Sequence, residues 1–147
     1  MITDFLQAHF QTLSAVLLST AVAQFISALW FGPFFSKQWQ KYCGWTEVEY
    51  KNYLSDKSEY RRSIIGAFLE QLVSVIVFAV LLHYLNITDA VEAIKLAGLV
   101  WFGFMATASI NEVLWHGERV GFYVLTQASY LVRTIAVAAV YSFVALQ

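Results

Sequence analysis

Few side chains in this sequence could do chemistry inside so apolar a chain, and Arg133 is the most conspicuous. It sits in the middle of SYLVRTIAVAAV, residues 129–140. A guanidinium stays protonated in proteins, and at bilayer depth it costs ~2.5 to 3.5 kcal/mol even on lenient insertion scales. Arg133 must therefore face protein or water and find a partner. The other strongly polar residues within apolar runs are Gln24, Glu70, Gln71, Asn111, Glu112 and Gln127. With Arg133 they could hold an ion or small solute, or pass protons through Glu70. They could equally form a structural ion pair, Arg133 with Glu70 or with Glu112, that fixes helix register.

Other chemistries find no residues to carry them. His9, His83 and His116 stand at unmatched depths, and no His-x-x-x-His or Glu-x-x-His spacing occurs, so neither metal nor haem is expected. The single Cys43 has no second cysteine for a disulfide, a CxxC pair or a zinc site. No G-x-S-x-G, Walker loop or HExxH is present. The reading is of a protein that is not an enzyme and has no cofactor. Net charge is -1 without a basic aromatic stripe, which leaves no case for nucleic acid.

The elements that position these residues follow from composition. Of 147 residues, 59% are hydrophobic and 13% charged, against about 25% charged in soluble domains. Mean hydropathy is +0.60. Apolar runs of spanning length cover roughly 13–35, 63–85, 91–115 and 121–145. The fold class expected is all-α: a polytopic membrane protein, one domain over 1–147, with four transmembrane helices in an antiparallel bundle. The first run carries no cleavage pattern and reads as a retained helix. Link 36–62 contains the capping-box pattern Thr46 to Glu49. It should hold a short amphipathic helix over 47–55, with Tyr50, Tyr53 and Leu54 on one side, along the membrane surface.

Orientation rests on Lys37, Lys41, Lys51, Lys57, Arg61, Arg62 and Arg119 lying on one side and only Lys95 on the other. Positive flanks stay in the cytoplasm, so both termini should be extracytoplasmic. Trp30, Trp39, Tyr42, Trp45 and Trp115 then fall near the cytoplasmic interface. Glu70 lies 8 residues past Arg62, or ~12 Å deep; Arg133 lies 14 past Arg119, or ~21 Å, and leans back toward the cytoplasm.

Counting 100° per residue gives each span a narrow small or polar stripe. These are Ser19, Ala23 and Ser27 with Gln24 adjoining; Ser63, Gly66, Glu70 and Ser74; Gly103, Thr107 and Asn111; and Tyr123, Gln127, Tyr130, Thr134 and Tyr141 with Arg133 at the edge. The stripes are expected to converge on an interior cluster of Gln24, Glu70, Asn111, Gln127 and Arg133. Gln71, Glu112, Thr134 and Tyr130 are secondary candidates. LWFGPF and VWFGFM share W-F-G, but the second and fourth spans do not align as a repeat. A helix stop at Gly32 and Pro33 and a packing site at Gly103 are the simpler readings.

ALWFGPFFSKQWQKYCGW, residues 28–45, resembles the signature of a bacterial membrane-protein family catalogued as domain of unknown function 1761. The positions that carry the likeness are Leu29, Trp30, Phe31, Gly32 and Pro33, then Lys37 and Trp39, then Gly44. GLVWFGFMATASIN and YVLTQASYLV are also similar to that family, whereas HGERVGF departs from its usual E-R-[RK]-P turn. The resemblance implies four membrane helices and carries no activity with it. The residues point to a small inner-membrane protein, homo-oligomeric, that moves a small solute or ion through the polar cluster. The alternative is a non-catalytic subunit whose link 36–62 binds a protein partner or anionic lipid. Membrane lipids are partners in either case.

Overall fold

The structure, a computed structural model, describes the backbone of residues 2–146 and the side chains of residues 11–146. Asp4 and His9 fall outside the described side chains. Seven α-helices follow one another among the described residues: α1 (Ile2–Leu29), α2 (Ser36–Cys43), α3 (Glu47–Ser55), α4 (Lys57–Tyr84), α5 (Ala90–Val100), α6 (Thr107–Trp115) and α7 (Val120–Ala145). No strand occurs among them. Four stretches are long and apolar enough to cross a membrane: Gln11–Phe34, Lys57–Tyr84, Ala90–Trp115 and Val120–Ala145.

Local chemistry sets most helix ends. At α3 the capping box forms as its T-x-x-E pattern demands: Glu49 N–H donates to Thr46 Oγ1 at 3.3 Å, and Thr46 N–H to Glu49 Oε2 at 2.8 Å. Asp56 accepts from the N–H groups of Ser58 and Glu59 at 3.0 and 3.1 Å. That cap starts α4 at Lys57, six residues before the apolar run, because Lys, Glu and Arg continue a helix readily in water. Asp89 caps α5 in the same way. Gly44, at φ 74°, ends α2 in the left-handed conformation that a side chain resists.

Two of the spans contain a π-helical turn, and both turns are built on W-F-G. Trp30–Phe34 follows α1, and Trp101–Ala106 joins α5 to α6 within the third span. At the first, Pro33 has no N–H for the α-helical ladder, and Phe35 N–H reaches back five residues to the Trp30 carbonyl at 2.9 Å. The second has no proline. There Thr107 Oγ1 donates to the Gly103 carbonyl at 2.5 Å.

Packing places the spans in the order α4, α1, α7, α5: α1 packs on both α7 and α4, α5 packs on α7, and α4 shares no comparable contact with α5. The seams are made of small residues. Ala15, Ser19, Thr20 and Ala23 are buried on α1, Ala93 and Ala97 on α5, and Ser129, Ala138 and Ser142 on α7. Such residues let backbones approach, which is what binds helices in lipid, where apolar burial offers no preference for protein over acyl chain.

The link is more structured than its sequence suggests. Besides α3 it holds α2, docked on the start of α7. The Tyr42 ring occupies the space a Cβ on Gly121 would need, and Arg119 Nη1 donates to the Lys41 carbonyl. Cys43, half-buried beside this contact, has its thiol pushed up chiefly by burial and next by Glu118, against the opposing pull of Arg119. Aromatic rings join the three helices: Trp39 to Trp45 at 5.1 Å, Trp45 to Tyr53 at 5.4 Å, Tyr53 to Tyr60 at 6.0 Å. Tyr50 and Tyr53 are half-buried in this array, whereas Leu54 is exposed.

Candidate functional site

Because α4 and the third span flank the α1 and α7 seam without closing on each other, a cleft remains between them, of about 310 Å³. Its walls are almost entirely apolar, with Val77, Phe78 and Leu81 from α4, Val100 and Met105 from the third span, and Val137 from α7. Val73, Ser74 and Val77 are exposed, so the cleft opens sideways on the α4 side. Glu70, Gln71, Ser74, Tyr130, Arg133 and Thr134 are the polar or ionisable residues that give it chemistry.

Arg133 is held from two helices. Its Nη1 donates to Ser27 Oγ of α1 at 3.0 Å, and Ser27 Oγ donates to the Ala23 carbonyl at 3.0 Å. The guanidinium carbon lies 4.5 Å from the centre of the Tyr130 ring, one helical turn before it, a cation–π geometry. Arg133 Nε is buried without a hydrogen-bond partner. Glu70 acts on this charge electrostatically, yet the two form no ion pair within 4.0 Å; the pairs among the described residues are Arg62 with Glu59, Lys95 with Glu92 and His116 with Glu112. The guanidinium thus retains donor capacity that the protein does not use.

Gln71 lies beside it, 4% exposed, with Nε2 donating to Gln24 Oε1 at 2.7 Å and Oε1 unpartnered. Thr134 Oγ1 is turned back to the Tyr130 carbonyl at 2.7 Å. The cleft therefore gathers Glu70, Gln71, Tyr130, Arg133 and Thr134, with Gln24 attached through Gln71.

Four expectations about this cluster need correction. Asn111 is exposed, and so are Gly103 and Thr107, because the third span packs on α7 through Ala93, Ala97 and Ala106. A stripe counted at 100° per residue cannot be carried through a π turn, which takes an extra residue and shifts everything beyond it to another face. Glu112 does not reach Arg133, since its Oε2 lies 2.6 Å from Nδ1 of His116, the residue that follows α6. On α4 the stripe Ser63, Gly66, Glu70 and Ser74 is exposed; the face turned inward is Gln71, Val75, Phe78, Ala79 and Leu82. That face offers larger side chains for dispersion contact. Glu70 enters the cleft from its open edge, not from the interior. Gln127 is buried at 5% exposure but stands apart from the cleft lining, with its Oε1 unpartnered.

Sequence reasoning missed the role of the W-F-G tryptophans. Trp30 Nε1 donates to the Leu125 carbonyl at 3.2 Å and Trp101 Nε1 to the Gln127 carbonyl at 2.9 Å, so both indoles hold the backbone of α7 from opposite neighbours. The shared tripeptide was the available signal. Replacing Trp101 with Phe should lower stability by about 0.5–1.5 kcal/mol. Trp115→Phe, at an exposed position, should leave the unfolding midpoint in detergent unchanged; equal midpoints for both variants would discount the indole bond.

Among the described residues, no three of His, Cys, Asp and Glu are grouped as a metal set. No curated protein and no solved structure matches the chain. The sequence profile of a family described as protein of unknown function (DUF1761) matches residues 14–142, from α1 to the last turns of α7. The chain belongs to that family.

Proposed function

We propose that this is a non-catalytic transport protein of the bacterial inner membrane, which takes a small solute or ion into the cleft at Glu70 and Arg133 and moves it across. The observation that carries the reading is a cavity that ends on an intramembrane guanidinium with no carboxylate, among the described residues, within ion-pair distance. A cation at that depth is expensive to keep, which makes it a functional-site candidate by default.

In this reading the spans form an antiparallel bundle. Support comes from Trp30 meeting Leu125 while Ser27, earlier on α1, meets Arg133, later on α7. The positive residues of the link and of the α6–α7 turn keep those segments in the cytoplasm and both termini outside. Helices α2 and α3 lie along the inner surface as an amphipathic platform, their rings in the interface and Lys37, Lys41 and Lys51 toward headgroups. A second copy covers part of the outward polar stripes on α4 and α6, making the working unit a homo-oligomer. Nucleic acid has no place in the scheme.

The test is crossing of permanently charged alkyl probes, decyl sulfate and decyltrimethylammonium, into proteoliposomes of neutral lipid. At least one should cross faster than in protein-free vesicles, with the excess reduced tenfold or more in Glu70→Gln and Arg133→Ala. If neither probe crosses faster than in protein-free vesicles, the transport reading falls. The second reading, a subunit that recruits a partner or anionic lipid through residues 36–62, would then stand on the cationic aromatic platform alone.

A further inference from the structure

The cleft combines two properties that a pathway for a water-soluble ion would not combine. Its walls are almost wholly apolar, and its mouth is lateral. An ion entering there would exchange water for hydrocarbon along most of the wall, with Glu70, Gln71, Ser74, Tyr130, Arg133 and Thr134 to replace its hydration. A molecule already dissolved in the bilayer meets no such barrier. From Glu70 to Leu81 the α4 wall rises about 16 Å at 1.5 Å per residue, and beyond its polar end it offers Val73, Val77 and Leu81 to an apolar chain.

An apolar tail gains almost nothing by leaving lipid for such a wall, since acyl chains are as apolar as the side chains that would receive it. Selection must come from the head. Arg133 is the strongest polar group available, with five N–H donors of which one bonds Ser27. Among the described residues it makes no ion pair, and in surroundings this apolar its charge is weakly screened. Oxyanions match a guanidinium in charge and in planar two-pronged geometry; an ammonium head would be repelled by it.

We infer that the cleft takes a single-chain amphiphile with an anionic oxyacid head, the head at Arg133 and the tail along Val73, Val77 and Leu81. The inference rests on the transport reading and names its substrate class. A carboxylate and a sulfate or phosphate head share the recognising chemistry, and the binding experiment separates them.

The experiment is equilibrium binding of radiolabelled ten-carbon probes to the full chain in nanodiscs of neutral lipid, corrected for empty discs. Decanoate and decyl sulfate carry the two kinds of anionic head; decanol and decyltrimethylammonium are the neutral and cationic comparisons. Saturable binding of at least one anionic probe, ten times tighter than decanol or the cation, is expected. Arg133→Gln should weaken it tenfold or more, and Arg133→Lys should recover only part, since charge returns without the fork. Val77→Trp fills the cleft from an exposed position and touches no charged group, so loss of binding there keeps the test valid even if the Arg133 variants misfold. Tighter binding of the cationic probe would overturn the anionic class while leaving transport standing. Equal partitioning of all four probes, with or without protein, would mean that bulk acyl chains alone occupy the cleft; if neither charged probe crossed the vesicles either, the transport reading would fall with it.

Discussion

Ala138→Leu is expected to lower the unfolding free energy by about 1–3 kcal/mol, the cost of forcing methylenes into a filled space. Ala138 has 0% of its surface exposed and belongs to one apolar cluster with Ala15, Val16 and Ala23 of α1 and Ala93 and Ala97 of α5. A leucine there must push into the neighbours of that cluster, several of them alanines with no side chain to move aside. Ala139, the next residue, is exposed. Ala139→Leu should be close to neutral, since it only adds apolar surface where apolar surface already meets lipid. The two variants have the same composition, so the difference between their midpoints in SDS titration isolates packing from hydrophobicity. Coincident midpoints would show that the small-residue seam is not close-packed.

Arg133→Leu is expected to act in the opposite direction. On insertion scales arginine at a helix centre costs ~2.5 to 3.5 kcal/mol while leucine gains ~0.3 to 0.6 kcal/mol. The bonds lost are one to Ser27 and a ring contact with Tyr130, about 1.5–3 kcal/mol for a hydrogen bond to a charged group and about 0.5–2 kcal/mol for the cation–π contact. These magnitudes nearly cancel, and the unpartnered Nε tips the balance toward leucine. Stability should therefore stay within about 1 kcal/mol of the parent or rise, while binding of the anionic probes is lost. A fall of 3 kcal/mol or more in bicelles, the penalty typical of a broken buried pair, would instead make Arg133 a fastener between helices. Retention at a cost, without structural benefit, is the signature of a functional group.

Some of this architecture was legible in the sequence and some was hidden for identifiable reasons. The spans were legible because hydropathy responds to the bilayer directly, and their ends were found to within a few residues except at α4, where Asp56 starts the helix in water well before Ser63. Thr46 and Glu49 announced their capping box, which needs only local geometry. Arg133, Glu70, Gln71 and Gln24 could be singled out because polar groups are rare at that depth. Which way each helix faces was not legible. In water a hydrophobic stripe identifies the inner face; in lipid both faces are apolar, and Gln71 faced inward in place of its neighbour Glu70. The π turn at residues 101–106 then misdirected Asn111, since no composition rule locates an extra residue in a helix without proline.

The two indole bonds to α7 end on main-chain oxygens two residues apart, which lie about 200° apart around a helix. They therefore grip it from nearly diametric sides. Swivelling α7 about its own axis would break both at once, and neither depends on what side chains residues 125 and 127 carry. The rotation of α7 is thus set through its main chain, whereas α4, the outer wall of the lateral gap, is held by neither indole; it packs on α1, where Gln71 Nε2 donates to Gln24 Oε1.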